Sequence, residues 1–150
     1  MNQSEQHVAR ATVEIPASAA TVWDTLVDPD ATWMLGARVD SAYVVGVPIT
    51  FEGRWEGKPF TDRGEILEVD RPNRLRYSHY SPLSGLPDVP ESYHHLTFSF
   101  VERDGATVVT LEQDGNGSAQ EADHARTLWE QVLGALRDAV AADADRASSS

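Results

Sequence analysis

The sequence contains no cysteine and few basic residues, and each of these shortages argues against certain kinds of protein function. Without cysteine, the chain has no disulfide, no thiolate metal ligand and no cysteine nucleophile. Its 12 Lys and Arg are outnumbered by 24 Asp and Glu, which gives a formal net charge of −12. This excess repels phosphate backbones over much of the molecule, and no Lys/Arg cluster offsets it. We therefore expect no nucleic-acid partner.

Long apolar runs and known catalytic motifs are missing as well. No apolar run approaches the roughly 18 residues of a membrane helix, so we expect no membrane span. Residues 1–7 are polar and lack the apolar core of a signal peptide, which favours a cytoplasmic protein. The chain has no P-loop, dinucleotide fingerprint, zincin motif or Gly-x-Ser-x-Gly elbow. We expect no bound cofactor.

The strongest pattern that is present is an amphipathic stretch from Ser118 to about Ala142. Apolar residues recur there at spacings of three and four, which predicts one long helix with a broad buried face. Ser118 is the expected N-cap, and Glu121 lies near the positive end of the helix dipole. Gly134 costs about 1 kcal/mol relative to alanine unless close packing needs the missing side chain. The apolar positions are Ala122, Ala125, Leu128, Trp129, Val132, Leu133, Leu136, Ala139 and Val140.

Most of the preceding chain reads as strands. Val8–Ile15 alternates in polarity, Ser18 can cap a short helix over Ala19–Val27, and a second short turn is expected over Thr32–Leu35. From Arg38 onward, strands alternate with short turns, which favours an antiparallel meander. The predicted strands are Val39–Val45, Ile49–Trp55, Thr61–Val69, Leu75–Tyr80, His94–Val101 and Thr107–Gln113.

These elements predict one α+β domain over residues 1–150, with a core of about 8–142 and flexible tails at 1–7 and 143–150. A curved antiparallel sheet of six to seven strands would wrap around the long C-terminal helix, with two short helices after the first strand. The gap between such a sheet and its helix is a natural cavity.

Several segments resemble one known family. They are Val13–Ser18 with Val22-Trp23, Leu26–Pro29, Gly64–Leu75 and the Trp129…Leu133…Leu136 pattern. On these residues the chain resembles the START-like (SRPBCC) helix-grip superfamily, and within it the single-domain homologues of the heat-shock-protein ATPase activator, over roughly Val8 to Val140. The Gly-rich loop of the plant allergen branch is absent. The resemblance implies the helix-grip fold, on which ligand carriers, polyketide cyclases and chaperone cofactors are all built.

Strand parity identifies the side chains that face the cavity. In the strand from His94 to Val101, His94, Leu96, Phe98 and Phe100 share the core face, and in the preceding strand Tyr77 and His79 do so with Leu75. Trp33 is placed at the rim. The predicted ligand-binding residues are Trp33, Phe51, Trp55, Tyr77, His79, His94, Phe98 and Trp129.

The two inward histidines are the candidate catalytic residues, because a pair of imidazoles can serve as general acid and base. The alternative is structural, with each ring satisfied by the Tyr77 hydroxyl or a carbonyl. A metal site would need a third ligand such as Glu112, which parity from Leu111 places on the outer face, so no metal is expected. The Ser81–Pro90 loop either closes over the cavity or is an inert surface loop.

The function predicted from these features is binding of a hydrophobic small molecule, aromatic, lipid-like or polyketide-like, in the cavity. The alternatives are a cyclase- or hydrolase-type enzyme using His79 and His94, and a chaperone ATPase co-regulator. Against a chaperone partner, the chain lacks the extra N-terminal domain expected of the eukaryotic activators. A homodimer through a sheet edge is compatible with the sequence, which contains no signal for it.

Overall fold

The computed structural model describes residues 8–28, 33–34, 37–82 and 85–148, without the side chains of Trp55 and of residues 144–148. The elements are β1 (Ala9–Ile15), α1 (Ala19–Leu26), β2 (Arg38–Ser41), β3 (Pro48–Trp55), β4 (Lys58–Asp70), β5 (Arg74–His79), a 3₁₀ turn (Pro90–Ser92), β6 (His94–Arg103), β7 (Ala106–Gln113) and α2 (Ala119–Ser148).

Within these residues the strands form one seven-stranded sheet in the order β1-β7-β6-β5-β4-β3-β2. All six neighbouring pairs are antiparallel. Strands β2 to β6 each pair with the next strand along the chain, and β1 forms the far edge beside β7. The predicted α+β helix-grip fold is therefore confirmed, with the strand number at the upper end of the prediction.

Two tight turns set the register of the longest hairpins. Glu56 and Gly57 have φ of 51° and 80°, and Asp104 and Gly105 have φ of 53° and 80°. Two consecutive positive φ angles are the geometry that matches the right-handed twist of the flanking strands. In contrast, β2 stops at Ser41 rather than at the predicted Val45, because the Ser41 side chain donates to the Pro48 carbonyl at 2.8 Å and accepts from the Tyr43 amide at 3.0 Å.

The core lies between the concave face of the sheet and α2. Trp129, Val132, Leu133, Leu136 and Val140 of α2 are buried, as the amphipathic pattern predicts. The helix packs closely on β1, on α1 and on the end of β7, and it stands away from β3 and β4. This one-sided contact leaves space at the β3–β4 end of the sheet.

The two ends of α2 differ in how they compare with the sequence prediction: the N-terminus begins as predicted, and the C-terminus lies further along the chain. Ser118 Oγ accepts from the Glu121 amide at 3.1 Å, and the Glu121 carboxylate accepts from the Gly117 amide at 2.6 Å, so the predicted N-cap is confirmed. The helix continues to Ser148, so residues 143–148, predicted as tail, are helical. The Thr25 hydroxyl of α1 donates to Asp143 Oδ2 at 3.0 Å, a contact between distant residues that supports the helix past its predicted end. An ideal Cβ built on Gly134 meets nothing within 4 Å, so packing does not require glycine there.

Of the second predicted short helix, Thr32–Leu35, only Trp33 and Met34 lie among the described residues, and Met34 forms an isolated bridge with Ala37. Neither α1 nor the described part of α2 is long and apolar enough to cross a membrane.

Candidate functional site

A cavity of about 600 Å³ lies between α2 and the β3–β4 hairpin, and we call it the sheet–helix cavity. Its wall is apolar except for Arg54 and Asp62. Strands β3 and β4 supply one side and α2 the other, with the segment before β2 closing one end. The lining residues are Met34, Ala37, Phe51, Gly53, Arg54, Phe60, Asp62, Leu128, Trp129 and Val132.

The predicted ligand-binding aromatics divide between this wall and the core behind it. Phe51 and Trp129 line the cavity directly. Tyr77 lies behind Phe51, with ring centroids 5.6 Å apart, and Phe98 lies behind Tyr77 at 6.2 Å. The Trp55 side chain lies outside the described part of the chain.

Trp33 occupies the core rather than the predicted rim. It is only 2% exposed, its indole N–H donates to the Leu26 carbonyl at 2.9 Å, and its ring meets Phe98 edge-on at 5.9 Å. The indole N–H thus provides a hydrogen-bond donor for the carbonyl of the last residue of α1. Strand and helix periodicity does not predict such a contact.

His79 and His94 are direct cross-strand partners in the β5–β6 register. Their rings engage opposite neighbours: His79 Nε2 lies 3.0 Å from Asp62 Oδ2 on β4, and His94 Nδ1 lies 2.8 Å from the Asp114 carbonyl beyond β7. A carbonyl and an ionised carboxylate only accept hydrogen bonds, so these nitrogens carry the protons. When such a ring carries a single proton, its other nitrogen is a hydrogen-bond acceptor.

Asp62 is the charged group of the site that sequence reasoning missed. It pairs with Phe51 in the β3–β4 register and therefore faces the cavity, with 14% of its side chain exposed. Oδ1 is buried without a hydrogen-bond partner among the described residues. Phe60, Asp62, Gly64 and Ile66 alternate inward along β4, but a bulge between Ile66 and Glu68 breaks this parity before Val69, which also packs on the core. Counting back from Val69 by twos therefore puts Asp62 on the wrong face.

The described part of the Ser81–Pro90 loop is fixed to the outer face of the sheet. Tyr80, whose parity is opposite to that of inward Tyr77, donates its hydroxyl to the Leu86 carbonyl at 2.6 Å. Tyr93 donates to Asp88 Oδ1 at 2.6 Å, and Arg63 forms an ion pair with the same carboxylate. This part of the loop therefore lies on the face opposite the sheet–helix cavity and does not cover it.

A second, more polar cavity of about 540 Å³ lies at the N-terminus of α2 and shares Leu128 with the first. His94 lines it together with Gln113, Asn116 and His124. Across the described residues, no group of three His, Asp or Glu side chains is arranged to hold a metal ion. Glu112 pairs with Arg10 at 3.1 Å on the outer face, where parity placed it.

The sequence model of the family described as "Activator of Hsp90 ATPase homolog 1-like protein" matches residues 16–141. The chain belongs to this family. The match begins directly after β1 and ends within α2, and it agrees with the resemblance drawn from the sequence. No curated protein matches the chain.

Solved structures similar to this family member share its fold. The protein ChR145 from Cytophaga hutchinsonii is 34% identical, with 92% of this chain and 96% of that chain covered and a TM-score of 0.77. The Aha1 dimer from Colwellia psychrerythraea is 18% identical, with 89% and 95% covered and a TM-score of 0.68. DynU16, from the dynemicin biosynthetic locus, is 18% identical, with 88% of this chain and 46% of that chain covered and a TM-score of 0.72.

Behind the cavity wall of this family member, Tyr77 presents a second unpaired polar group. Its hydroxyl is fully buried and has no hydrogen-bond partner in the described part of the structure. Burial raises the pKa of Tyr77 far above its usual range, and nearby Tyr43 raises it further. Burial, followed by the charge of Asp40, also raises the pKa of Tyr43 to about 12.

Tyr77→Phe is expected to raise the free energy of unfolding at pH 7 by about 1 kcal/mol, because it removes an unsatisfied buried hydroxyl and keeps the ring. Both tyrosines have folded-state pKa values above the ordinary value of 10.0, so the wild-type protein should lose stability as pH rises above 10. Tyr77→Phe should lose less. Urea unfolding at pH 7 and pH 11 measures both effects.

Tyr80→Phe is the matched control, because the Tyr80 hydroxyl does donate a hydrogen bond, to Leu86. That variant should be less stable than wild type by about 1 kcal/mol. A Tyr77→Phe protein as destabilised as Tyr80→Phe would show that the Tyr77 hydroxyl is satisfied after all.

Proposed function

We propose that this family member binds a hydrophobic small molecule in the sheet–helix cavity. The observation that carries the proposal is the cavity itself, whose volume of about 600 Å³ is in the range of ligand sites and whose wall is mainly apolar. A structural neighbour encoded in a biosynthetic locus is in keeping with an organic ligand.

The helix is held at a distance from β3 and β4 by specific contacts, which argues that the space is built into the fold. Trp129 donates its indole N–H to Gln113 Oε1 at 2.7 Å, and the Gln113 amide in turn donates to Asn116 at 3.1 Å. All three side chains are buried. This network ties α2 to the end of β7, so the helix cannot move onto the β3–β4 hairpin without breaking buried hydrogen bonds.

Leu128→Trp tests the proposal, because Leu128 lines the cavity while 41% exposed and so tolerates a larger side chain. In a thermal-shift screen of aromatic and lipid-like compounds, a ligand at 100 times its dissociation constant adds about 2.7 kcal/mol of stability. That corresponds to a shift of roughly 5–10 °C for a domain of this size. We expect Leu128→Trp to remove most of the shift by occupying the cavity.

Gln131→Trp is the control, with the same new side chain at an exposed position of α2 that is absent from the cavity wall. It should keep the full shift. Equal shifts in wild type and both variants would place binding elsewhere, and no shift with any compound would contradict the proposal.

A second candidate is acid–base chemistry on the bound ligand, favoured by the Asp62–His79 pair. A carboxylate that accepts from an imidazole N–H fixes its tautomer and strengthens the other nitrogen as a base. Once a ligand is identified, His79→Ala and His94→Ala test this role, and unchanged turnover in both variants would exclude it.

A further inference from the structure

The wall of the sheet–helix cavity contains a buried side-chain acceptor, Asp62 Oδ1, that no described residue uses. Asp62 Oδ2 is taken by His79 Nε2 at 3.0 Å, whereas Oδ1 is buried and has no partner among the described residues. A buried carboxylate oxygen without a donor carries a desolvation penalty, which a donor on a bound molecule would remove.

The surroundings of Asp62 restrict what that donor can be. Phe51, Phe60 and Val132 make the adjoining wall apolar. An ammonium group would be attracted to the carboxylate, but its desolvation in this wall can cost more than that attraction gains, whereas a hydroxyl costs far less to desolvate. An anionic group would meet the Asp62 carboxylate in a region of low dielectric and be repelled. Arg54, the other charged lining residue, is exposed and donates to the Gly57 carbonyl at 3.2 Å in the β3–β4 turn.

Building on the proposed function, we propose that the ligand presents an uncharged hydrogen-bond donor, a phenolic or alcoholic hydroxyl on an apolar frame, to Asp62 Oδ1. Asp62 is then the residue that determines specificity, with His79 as its positioning partner. The same carboxylate repels a ligand that places its own carboxylate beside Oδ1.

Three probes with one bicyclic ring and different substituents test this inference: 2-naphthol, 2-methoxynaphthalene and 2-naphthoate. Calorimetric titration of the full chain at pH 7 gives their dissociation constants. We expect 2-naphthol to bind at least about tenfold more tightly than 2-methoxynaphthalene, which cannot donate, because one good hydrogen bond to a charged acceptor is of this order. The anionic 2-naphthoate should bind most weakly.

Two variants attribute the preference to Asp62. Asp62→Leu removes the acceptor and should bring 2-naphthol and 2-methoxynaphthalene within about twofold of each other, with thermal unfolding to verify the fold. Asp62→Asn keeps the shape and one oxygen for His79 but removes the charge, so 2-naphthoate should gain affinity by at least about tenfold.

The outcomes separate this inference from the proposed function. If all three probes bind equally and Leu128→Trp abolishes their binding, the cavity is a ligand site but the role of Asp62 is wrong. If 2-naphthoate binds best in the wild-type protein, the exclusion of anions is overturned. If no probe binds, both the inference and the proposed aromatic ligand are contradicted.

Discussion

Gly64→Ala is expected to lower the free energy of unfolding by about 3 kcal/mol or more, the largest effect of any glycine replacement in the described chain. An ideal Cβ at Gly64 would lie 1.6 Å from the Ser78 carbonyl oxygen and 2.5 Å from its carbon. Backbone atoms cannot turn aside as a side chain can, so β4 and β5 would have to separate. The same region holds Asp62 against His79 and the Glu65 amide against Ser78 Oγ at 3.0 Å, so the ligand site should be disturbed too.

Gly134→Ala is the matched control, with the same chemical change at a site where the new Cβ meets nothing within 4 Å. It should raise the stability by up to about 1 kcal/mol, because alanine has the higher helix propensity. Urea unfolding of both variants beside wild type measures the two effects. A Gly64→Ala protein as stable as Gly134→Ala would show that β4 and β5 do not approach as closely as described.

Trp129→Ala is the second replacement with a large expected effect, a loss of about 3–5 kcal/mol. The Trp129 side chain is 4% exposed and is the point where α2 is joined to β7. Its removal leaves a large void and takes the N–H donor from the buried Gln113 Oε1. The cavity would also lose one wall, so the variant should bind hydrophobic ligands weakly or not at all.

Leu128→Ala, at the adjacent position of α2, is the control for that experiment. Leu128 is 41% exposed, so its truncation should cost about 1 kcal/mol or less. Thermal and urea unfolding of the two variants gives the comparison. Equal losses at the two positions would contradict the anchoring role assigned to Trp129.

The sequence predicted most of the fold because its helix and strands carry clear periodicities. The alternation through Leu96, Phe98 and Phe100 identified the buried face of β6. The same parity predicted that His79 and His94 share a face of the sheet, and the register makes them direct partners. The N-cap role of Ser118 could be predicted equally well, because it depends only on the local sequence.

The site was less predictable, because its polar contacts join residues that are distant in the chain. Parity shows that a histidine faces inward but not that His79 engages Asp62, 17 residues earlier, while His94 engages the Asp114 carbonyl, 20 residues later. The place of the Ser81–Pro90 loop likewise depends on Asp88 meeting Arg63 and Tyr93. Such partners can be identified only once the pairing and register of the strands are known.

The measurement that tests the central claim most directly is a methyl NMR titration of the full chain with 2-naphthol. Binding in the sheet–helix cavity predicts saturable shifts for the methyl groups of Met34, Leu128 and Val132, which line it. Leu67 on the outer face and Val140 near β1 line other pockets, and their methyl signals should not shift. Saturable shifts at Leu67 or Val140 alone, or none at all, would contradict the assignment of the sheet–helix cavity as the ligand site.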